Sequence, residues 1–188
     1  MSDERAVWDQ RHREQRVAGP EGFVLELLPL LPRGLALDVA CGAGRHAIFL
    51  GRCGYHVQAL DFSLEAIERL ARQARRERLE QVHGLVADLE DYPLPADYYD
   101  LIVNINYLDR QLIPRLKRAL KPGGALLFDT FLVDQATVGH PTNPRFLLDH
   151  YELRELMAGL ELARYQERFT VSPQGVKSWR AGALGRRR

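Results

Sequence analysis

The sequence lacks several features that would assign it to a class of protein at once. It has no apolar run near the roughly 18 residues that a membrane-spanning helix needs. It also lacks an excess of charge of one sign, since 26 basic residues face 25 acidic ones and the formal net charge is +1. No overall field points to nucleic acid or to a membrane surface, so we expect neither as a partner.

Cysteine is also scarce, which excludes the common zinc arrangements. The two cysteines, Cys41 and Cys53, and the six scattered histidines show no zinc-ligand spacing, so we expect no metal. The charged N-terminus, MSDERAVWDQRHREQR, does not resemble a signal peptide. We therefore expect reduced thiols and a cytoplasmic location.

Strand-like and helix-like segments alternate through most of the 188 residues. Short apolar runs bounded by Gly, Pro or Asp predict five buried parallel strands, at 35–40, 56–61, 82–88, 100–106 and 124–131. Helical spacing of apolar residues lies between them, most clearly from Leu64 and from about Asp109. This alternation predicts an α/β fold with a doubly wound, Rossmann-like sheet.

We expect a single domain spanning residues 1–188, with an N-terminal helical or lid segment at 1–20. The tail departs from the alternation, because a helix-like stretch at 151–160 is followed by two strand-like stretches that predict an antiparallel pair. The last residues, 185–188, are expected to be frayed.

Polar and small residues stand where four of the predicted strands end. In an open parallel sheet, ligands bind at these carboxyl ends. Gly42 and Gly44 would let a ligand approach the backbone, and the helix that starts near Arg45 would offer free N–H groups. The residues at the four ends are Asp38-Val39-Ala40-Cys41-Gly42-Ala43-Gly44, Asp61-Phe62, Asp88-Leu89 and Asn104-Ile105-Asn106-Tyr107.

The chemistry of these positions suits a nucleoside. Asp61 follows the glycine loop by about twenty residues, where a carboxylate can accept hydrogen bonds from both ribose hydroxyls. Phe62 could cover one face of a base, and Asp88 could accept a hydrogen bond from an exocyclic amine. Each feature alone has a plain structural explanation, such as a tight turn or a helix cap, but all of them fall on consecutive strand ends.

The identity of the nucleotide depends on Asp38. The ATP-binding pattern G-x-x-x-x-G-K-[ST] is absent, whereas G-x-G-x-x-G/A is satisfied by Gly42, Gly44 and Ala47, so NAD is not excluded. A carboxylate at Asp38 would repel a pyrophosphate and attract an ammonium group. S-adenosylmethionine has an ammonium group and no phosphate, so we expect it as the cofactor.

These segments carry a family resemblance. LDVACGAGR, ALDFS and LKPGGALL resemble the signature segments of class I S-adenosylmethionine-dependent methyltransferases. NPRFLLDHYELRELMAGLELARYQERF resembles the closing helix and strand of the tellurite-resistance (TehB-like) small-molecule methyltransferases. The resemblance implies a seven-stranded sheet with an antiparallel strand seven between strands five and six. It also implies cofactor contacts from the loop 38–44, Asp61, Phe62, Asp88, Leu89 and Asn104.

The chain departs from this family at two positions. Many members have glycine at position 40, where this chain has Ala40, and a glycine before the late Glu-Leu pair is replaced by His150 or Tyr151. A Trp…Arg segment near the N-terminus is usual in the group, and Trp8 with Arg11 or Arg13 could match it. We expect Trp8 and Arg11, with Asn106, Tyr107 and Arg110, to contact the substrate.

The predicted reaction is transfer of a methyl group to a small-molecule acceptor by in-line displacement. The cofactor supplies the reactive carbon and the protein supplies orientation, so a soft acceptor such as a thiol or a metalloid oxyanion needs no base. Strand four offers no strong base, and the catalytic candidates are Tyr107, Arg110 and Thr130. The alternatives are a methyltransferase acting on RNA or protein, a nicotinamide-binding protein, and a cofactor-binding protein without turnover.

Overall fold

A computed structural model describes residues 19–172 and 175–188. Nearly all of the expected N-terminal lid segment, including Trp8 and Arg11, lies outside these residues.

Seven strands form one sheet in the order β3-β2-β1-β4-β5-β7-β6. Strands β1 to β5 are mutually parallel, and β7 runs antiparallel to both β5 and β6. The expected Rossmann-like sheet is confirmed, including the antiparallel last strand inserted between the fifth and sixth. The strands are β1 (Leu35–Val39), β2 (His56–Asp61), β3 (Val82–Val86), β4 (Tyr99–Ile105), β5 (Leu120–Phe131), β6 (Glu161–Val171) and β7 (Lys177–Arg186).

The α-helices of the described residues are short and cover both faces of the sheet. None of them is long and apolar enough to cross a membrane. They are α1 (Gly22–Leu27), α2 (Arg45–Arg52), α3 (Leu64–Arg76), α4 (Leu112–Ala119) and α5 (Glu152–Leu156).

Local sequence signals explain where the helices begin. The Ser63 hydroxyl accepts a hydrogen bond from the Ala66 amide at 3.2 Å, so Ser63 is the N-cap of α3. Glu65 lies in the first turn of the same helix, where the helix dipole stabilises an acid. Pro114 stands in the first turn of α4, where its missing N–H costs nothing.

The core consists of two apolar clusters, one on each face of the sheet. Because side chains alternate along a strand, Leu101 of β4 belongs to one cluster and Ile102 to the other. Phe23 and Leu70 pack in the first cluster from α1 and α3, and Leu116 packs in the second from α4. This double coverage explains why β4 reads as a continuous apolar run.

The prediction that residues 185–188 are frayed is wrong for the first of these residues. Gly185 and Arg186 belong to β7, where they pair with β5 on one side and β6 on the other, and the Arg187 amide donates to the Gly124 carbonyl at 2.9 Å. A strand with neighbours on both sides has its backbone groups satisfied, so it does not fray. The helix expected at 151–160 is also shorter, since α5 ends at Leu156.

Candidate functional site

Asp38 lies at the end of β1, beneath the first turn of α2. Its side chain is buried, with 1% exposure, and accepts a hydrogen bond from the Ala47 amide at 2.9 Å. Burial raises the pKa of the Asp38 carboxyl to about 7. The Ala47 hydrogen bond and the charge of Arg45 oppose that rise, and the charge of Asp61 adds to it. A carboxyl in this state gains from any cation brought beside it.

The loop between β1 and α2 exposes backbone because its key positions are left-handed. Ala40, Gly42 and Gly44 have φ angles of 49°, 54° and 78°. A Cβ atom at Gly44 would lie 2.2 Å from the Cδ1 atom of Leu70, so close packing on α3 also requires glycine there. A ligand can therefore approach the main chain of this loop closely.

Asp61, at the end of β2, fastens this loop from the side. One carboxylate oxygen accepts from the Gly42 amide at 2.8 Å and the other from the Ser63 amide at 2.9 Å. Asp61 is 4% exposed. The structural role that the sequence left open is therefore present, yet each carboxylate oxygen keeps a second lone pair for a ligand hydroxyl.

The remaining predicted cofactor positions lie on the same edge of the sheet, because β1 pairs with β2 on one side and with β4 on the other. Cys41 and Leu89 are buried, Phe62 is half-buried and Asp88 is exposed. The Asn104 side-chain amide is buried and donates to the Tyr107 carbonyl at 2.7 Å, which shapes the turn after β4.

The chemistry of these donors and acceptors fits S-adenosylmethionine better than a dinucleotide. Two buried carboxylates, Asp38 and Asp61, flank a loop of small residues, which suits an ammonium group and ribose hydroxyls. The nearby guanidinium of Arg45 already pairs with Glu21 at 2.9 Å, so it is not free for a pyrophosphate. Among the described residues, no cluster of His, Cys, Asp and Glu could hold a metal ion.

The three catalytic candidates have different surroundings, and two of them are poorly suited to act as a base. Arg110 donates to Glu152 at 2.5 and 2.9 Å and to the Leu147 carbonyl at 3.0 Å, so it fastens the loop before α5. Burial and neighbouring acids raise the pKa of the Tyr107 phenol to about 12, so it stays protonated at neutral pH. The hydroxyl of Thr130 is buried and has no hydrogen-bond partner within residues 19–172 and 175–188.

The sequence reasoning missed a buried ionic group beside β4. The Asp129 carboxylate, in β5, accepts a hydrogen bond from Nη2 of Arg168 at 2.7 Å and another from Nε of Arg180 at 3.2 Å. Arg180 also donates to the Asn106 side chain at 2.6 Å, so the predicted substrate contact at Asn106 already has a protein partner. The only available signal was that Arg168 and Arg180 fall on inward-facing positions of their strands.

Ala40 carries a measurable strain that follows from its departure from glycine. We expect Ala40→Gly to raise the free energy of unfolding by about 1 kcal/mol, because a left-handed conformation costs alanine more than glycine. Chemical denaturation checks this. Ala71→Gly, in helix α3, is the control and should lower stability by about 1 kcal/mol. Equal destabilisation by both changes would contradict the assignment of strain to Ala40.

Comparison with known proteins connects this geometry to a family. A family model described as a methyltransferase domain matches residues 36–124. Hemagglutinin 1 of Eikenella corrodens is 25% identical over 167 residues, covering 85% of this chain and 54% of that protein. A malonyl-[acyl-carrier protein] O-methyltransferase of Enterobacter lignolyticus is 28% identical over 130 residues, covering 66% of this chain and 49% of that protein.

Among solved structures, TehB from Haemophilus influenzae has the same fold. It superimposes with a TM-score of 0.76 at 23% identity, covering 90% of this chain and 63% of that chain. This chain spans about half the length of the two curated relatives, hemagglutinin 1 and the O-methyltransferase.

Proposed function

Because this chain carries a class I methyltransferase domain, whose cofactor is S-adenosylmethionine, we propose that it transfers a methyl group to a small-molecule acceptor with a soft nucleophile, such as a thiol or a metalloid oxyanion. The observation that carries this proposal is the pairing of two buried carboxylates, Asp38 and Asp61, around a left-handed loop. That arrangement suits the ammonium group and the ribose hydroxyls of the cofactor.

Each part of the site has a distinct proposed task. Asp38 receives the ammonium group of the cofactor, and Asp61 accepts from the ribose hydroxyls while keeping the Gly42 amide in place. Phe62 and Leu89 enclose the base, and Asp88 accepts from its exocyclic amine. The bound cofactor supplies an electrophilic methyl carbon, and the protein holds the acceptor in line with it.

Two groups near the site support a soft acceptor, because neither of them is suited to act as a base. Tyr107 stays protonated at neutral pH, because its pKa is raised to about 12. Burial and the charges of Arg45 and Arg180 lower the pKa of His46 to about 3, and its Nε2 atom already accepts from the Glu21 amide at 3.3 Å. Neither residue suits removal of a proton from an alcohol, whereas a thiol ionises readily in water.

Calorimetry and a product screen test this proposal. We expect the protein to bind S-adenosylmethionine and S-adenosylhomocysteine but not NADH. A screen of thiols, selenite, tellurite and small phenols for S-adenosylhomocysteine release should show turnover of the soft acceptors ahead of the phenols. A protein that binds NADH but not S-adenosylmethionine would contradict the proposal. Turnover of phenols alone would contradict the proposed soft acceptor.

The affinity for S-adenosylhomocysteine should depend on pH through Asp38. The free carboxyl has a pKa of about 7, and a bound ammonium group favours its ionised form, so binding requires loss of a proton at lower pH. We expect the dissociation constant to rise by about 10–30-fold between pH 7.5 and pH 5.5. Titration calorimetry measures this, and the effect should vanish in Asp38→Asn. A dissociation constant that does not change with pH would separate Asp38 from the ammonium group.

A further inference from the structure

The ionic group beside β4 carries more positive than negative charge. We call it the arginine cluster and define it as Arg45, Arg168, Arg180, Asp129 and Glu21. Arg168 and Arg180 both bind Asp129, and Arg45 pairs with Glu21, which lies close enough to raise the pKa of Asp129. Arg45 and Glu21 compensate each other, and Arg45 also lies near Asp38, so the excess charge is that of two guanidinium groups facing the single carboxylate of Asp129. An excess charge out of water is costly unless it is compensated.

One buried donor of the cluster is left without a partner among the described residues. It is the Nη1 atom of Arg168, while Nη2 of the same guanidinium binds Asp129 at 2.7 Å. The Arg168 side chain is 19% exposed, and its guanidinium lies 4.7 Å from the centre of the Phe23 ring. Phe23 supports the flat group without satisfying its donors. A planar anion could accept from the free edge.

The cluster adjoins the place where an acceptor must approach the methyl group. Asp129 lies opposite Ile105 in the pairing of β5 with β4, and the Asn106 amide donates to the Asp129 carbonyl at 2.9 Å. Arg180 binds the Asn106 side chain, and Asn106 is exposed at the carboxyl end of β4. The positive charge is therefore at the wall of the site, two residues beyond Asn104.

The charges of Arg45 and Arg180 also act on His46, a buried residue in the first turn of α2. Burial lowers the pKa of its imidazole most, and the two guanidinium groups lower it further. His46 is therefore neutral and adds no charge to the arginine cluster.

We propose that the arginine cluster binds an anionic group of the methyl acceptor, a carboxylate or an oxyanion, through the guanidinium of Arg168. Asp129 is a positioning residue because it binds Arg168, and Arg180 is one because it binds both Asp129 and the Asn106 side chain. This inference rests on the proposed methyltransferase function and narrows its acceptor class to anions.

The test compares matched small ligands on the whole protein. Mercaptoacetate and 2-mercaptoethanol are similar in size and share a thiol, but only the first carries a carboxylate; tellurite is the oxyanion arm. Calorimetry at low salt, with and without S-adenosylhomocysteine, should show mercaptoacetate or tellurite binding at least 10-fold more tightly than 2-mercaptoethanol.

Variants of two arginines on the same strand locate the effect. Arg168→Met keeps the apolar stem over Phe23 and should abolish the preference for anions, whereas Arg168→Lys should keep part of it because the charge remains. Arg164→Met is the matched control, since Arg164 pairs with Glu26 at 2.8 Å on the surface, and it should bind as the unchanged protein does. Binding of S-adenosylmethionine should be unaffected in all three.

The outcomes separate this inference from the proposed function. The anion site is overturned if mercaptoacetate and 2-mercaptoethanol bind equally and tellurite does not bind. It is also overturned if the preference for anions survives in Arg168→Met. In either case the methyltransferase proposal stands if S-adenosylmethionine binds. Anion binding that depends on Arg168, without any binding of S-adenosylmethionine, supports the anion site and overturns the methyltransferase proposal.

Discussion

Asp61→Ala should weaken binding of S-adenosylmethionine by about 100-fold, which corresponds to about 3 kcal/mol. The side chain has two tasks, and both are lost together. It is the proposed acceptor for the ribose hydroxyls, and it holds the amides of Gly42 and Ser63 at 2.8 and 2.9 Å. Two N–H groups without partners should also lower the free energy of unfolding by about 1–3 kcal/mol. Calorimetry and chemical denaturation measure the two effects.

Asp100→Ala is the matched control for this prediction. Asp100 also accepts from a backbone amide, that of Leu35 at 2.8 Å, and it binds Lys121 at 2.9 Å. It lies next to the start of β1, at the opposite edge of the sheet from the loop. The control should lose stability and keep its affinity for the cofactor. If Asp61→Ala behaves in the same way, Asp61 is a structural residue and not part of the binding site.

Asp38→Asn should make the protein more stable and a poorer binder of S-adenosylmethionine. Because burial raises the pKa of Asp38 from 3.8 to about 7, the ionised carboxylate destabilises the folded state at pH 8. Asparagine keeps an oxygen for the Ala47 amide without that charge. We expect the free energy of unfolding to rise by about 1–3 kcal/mol at pH 8 and affinity to fall at least about 10-fold.

The sign of the pH dependence distinguishes this mechanism from a general packing effect. A group whose pKa is raised on folding stabilises the protein below its unfolded pKa, and that stabilisation is lost as the pH rises through its folded pKa. The gain from Asp38→Asn should therefore shrink between pH 8 and pH 5. Asp100 shows the opposite, since Lys121 and the Leu35 amide hold its pKa below the usual range. Asp100→Asn should destabilise at pH 8, and a gain from Asp38→Asn that is equal at both pH values would refute this explanation.

Much of the fold was predictable because strand and helix periods are local signals. The apolar run at 56–61 corresponds to β2 without change, and the Ser63 cap and the Pro114 turn lie where the residue types require them. The wrong predictions concern the ends of helices and strands. The tail at 185–188 looks polar and frayed in sequence, but Gly185 and Arg186 are held between two neighbouring strands. No local pattern reports whether a strand has partners on both sides.

Some features of the site were likewise predictable from sequence, and others were not. The clustering of Asp38, Asp61, Asn104 and the glycine loop at one edge follows from parallel topology, which the alternation of elements predicts. The roles of Arg110 and Arg168 do not follow from sequence. Arg110 binds Glu152 and two loop carbonyls, whereas Arg168 has a buried donor that finds no partner in the part of the chain that the structure describes.

The sequence by itself determined the order of elements, the parallel sheet and the edge at which a cofactor binds, because these depend on periodicity and on residues close together in the chain. Only the tertiary structure decided which charges compensate one another. Asp129 binds Arg168 and Arg180 across separations of 39 and 51 residues, and burial in the folded protein raises the pKa of Asp38 to about 7. Charge pairing and burial are set by three-dimensional packing, so they become visible only when the chain is folded.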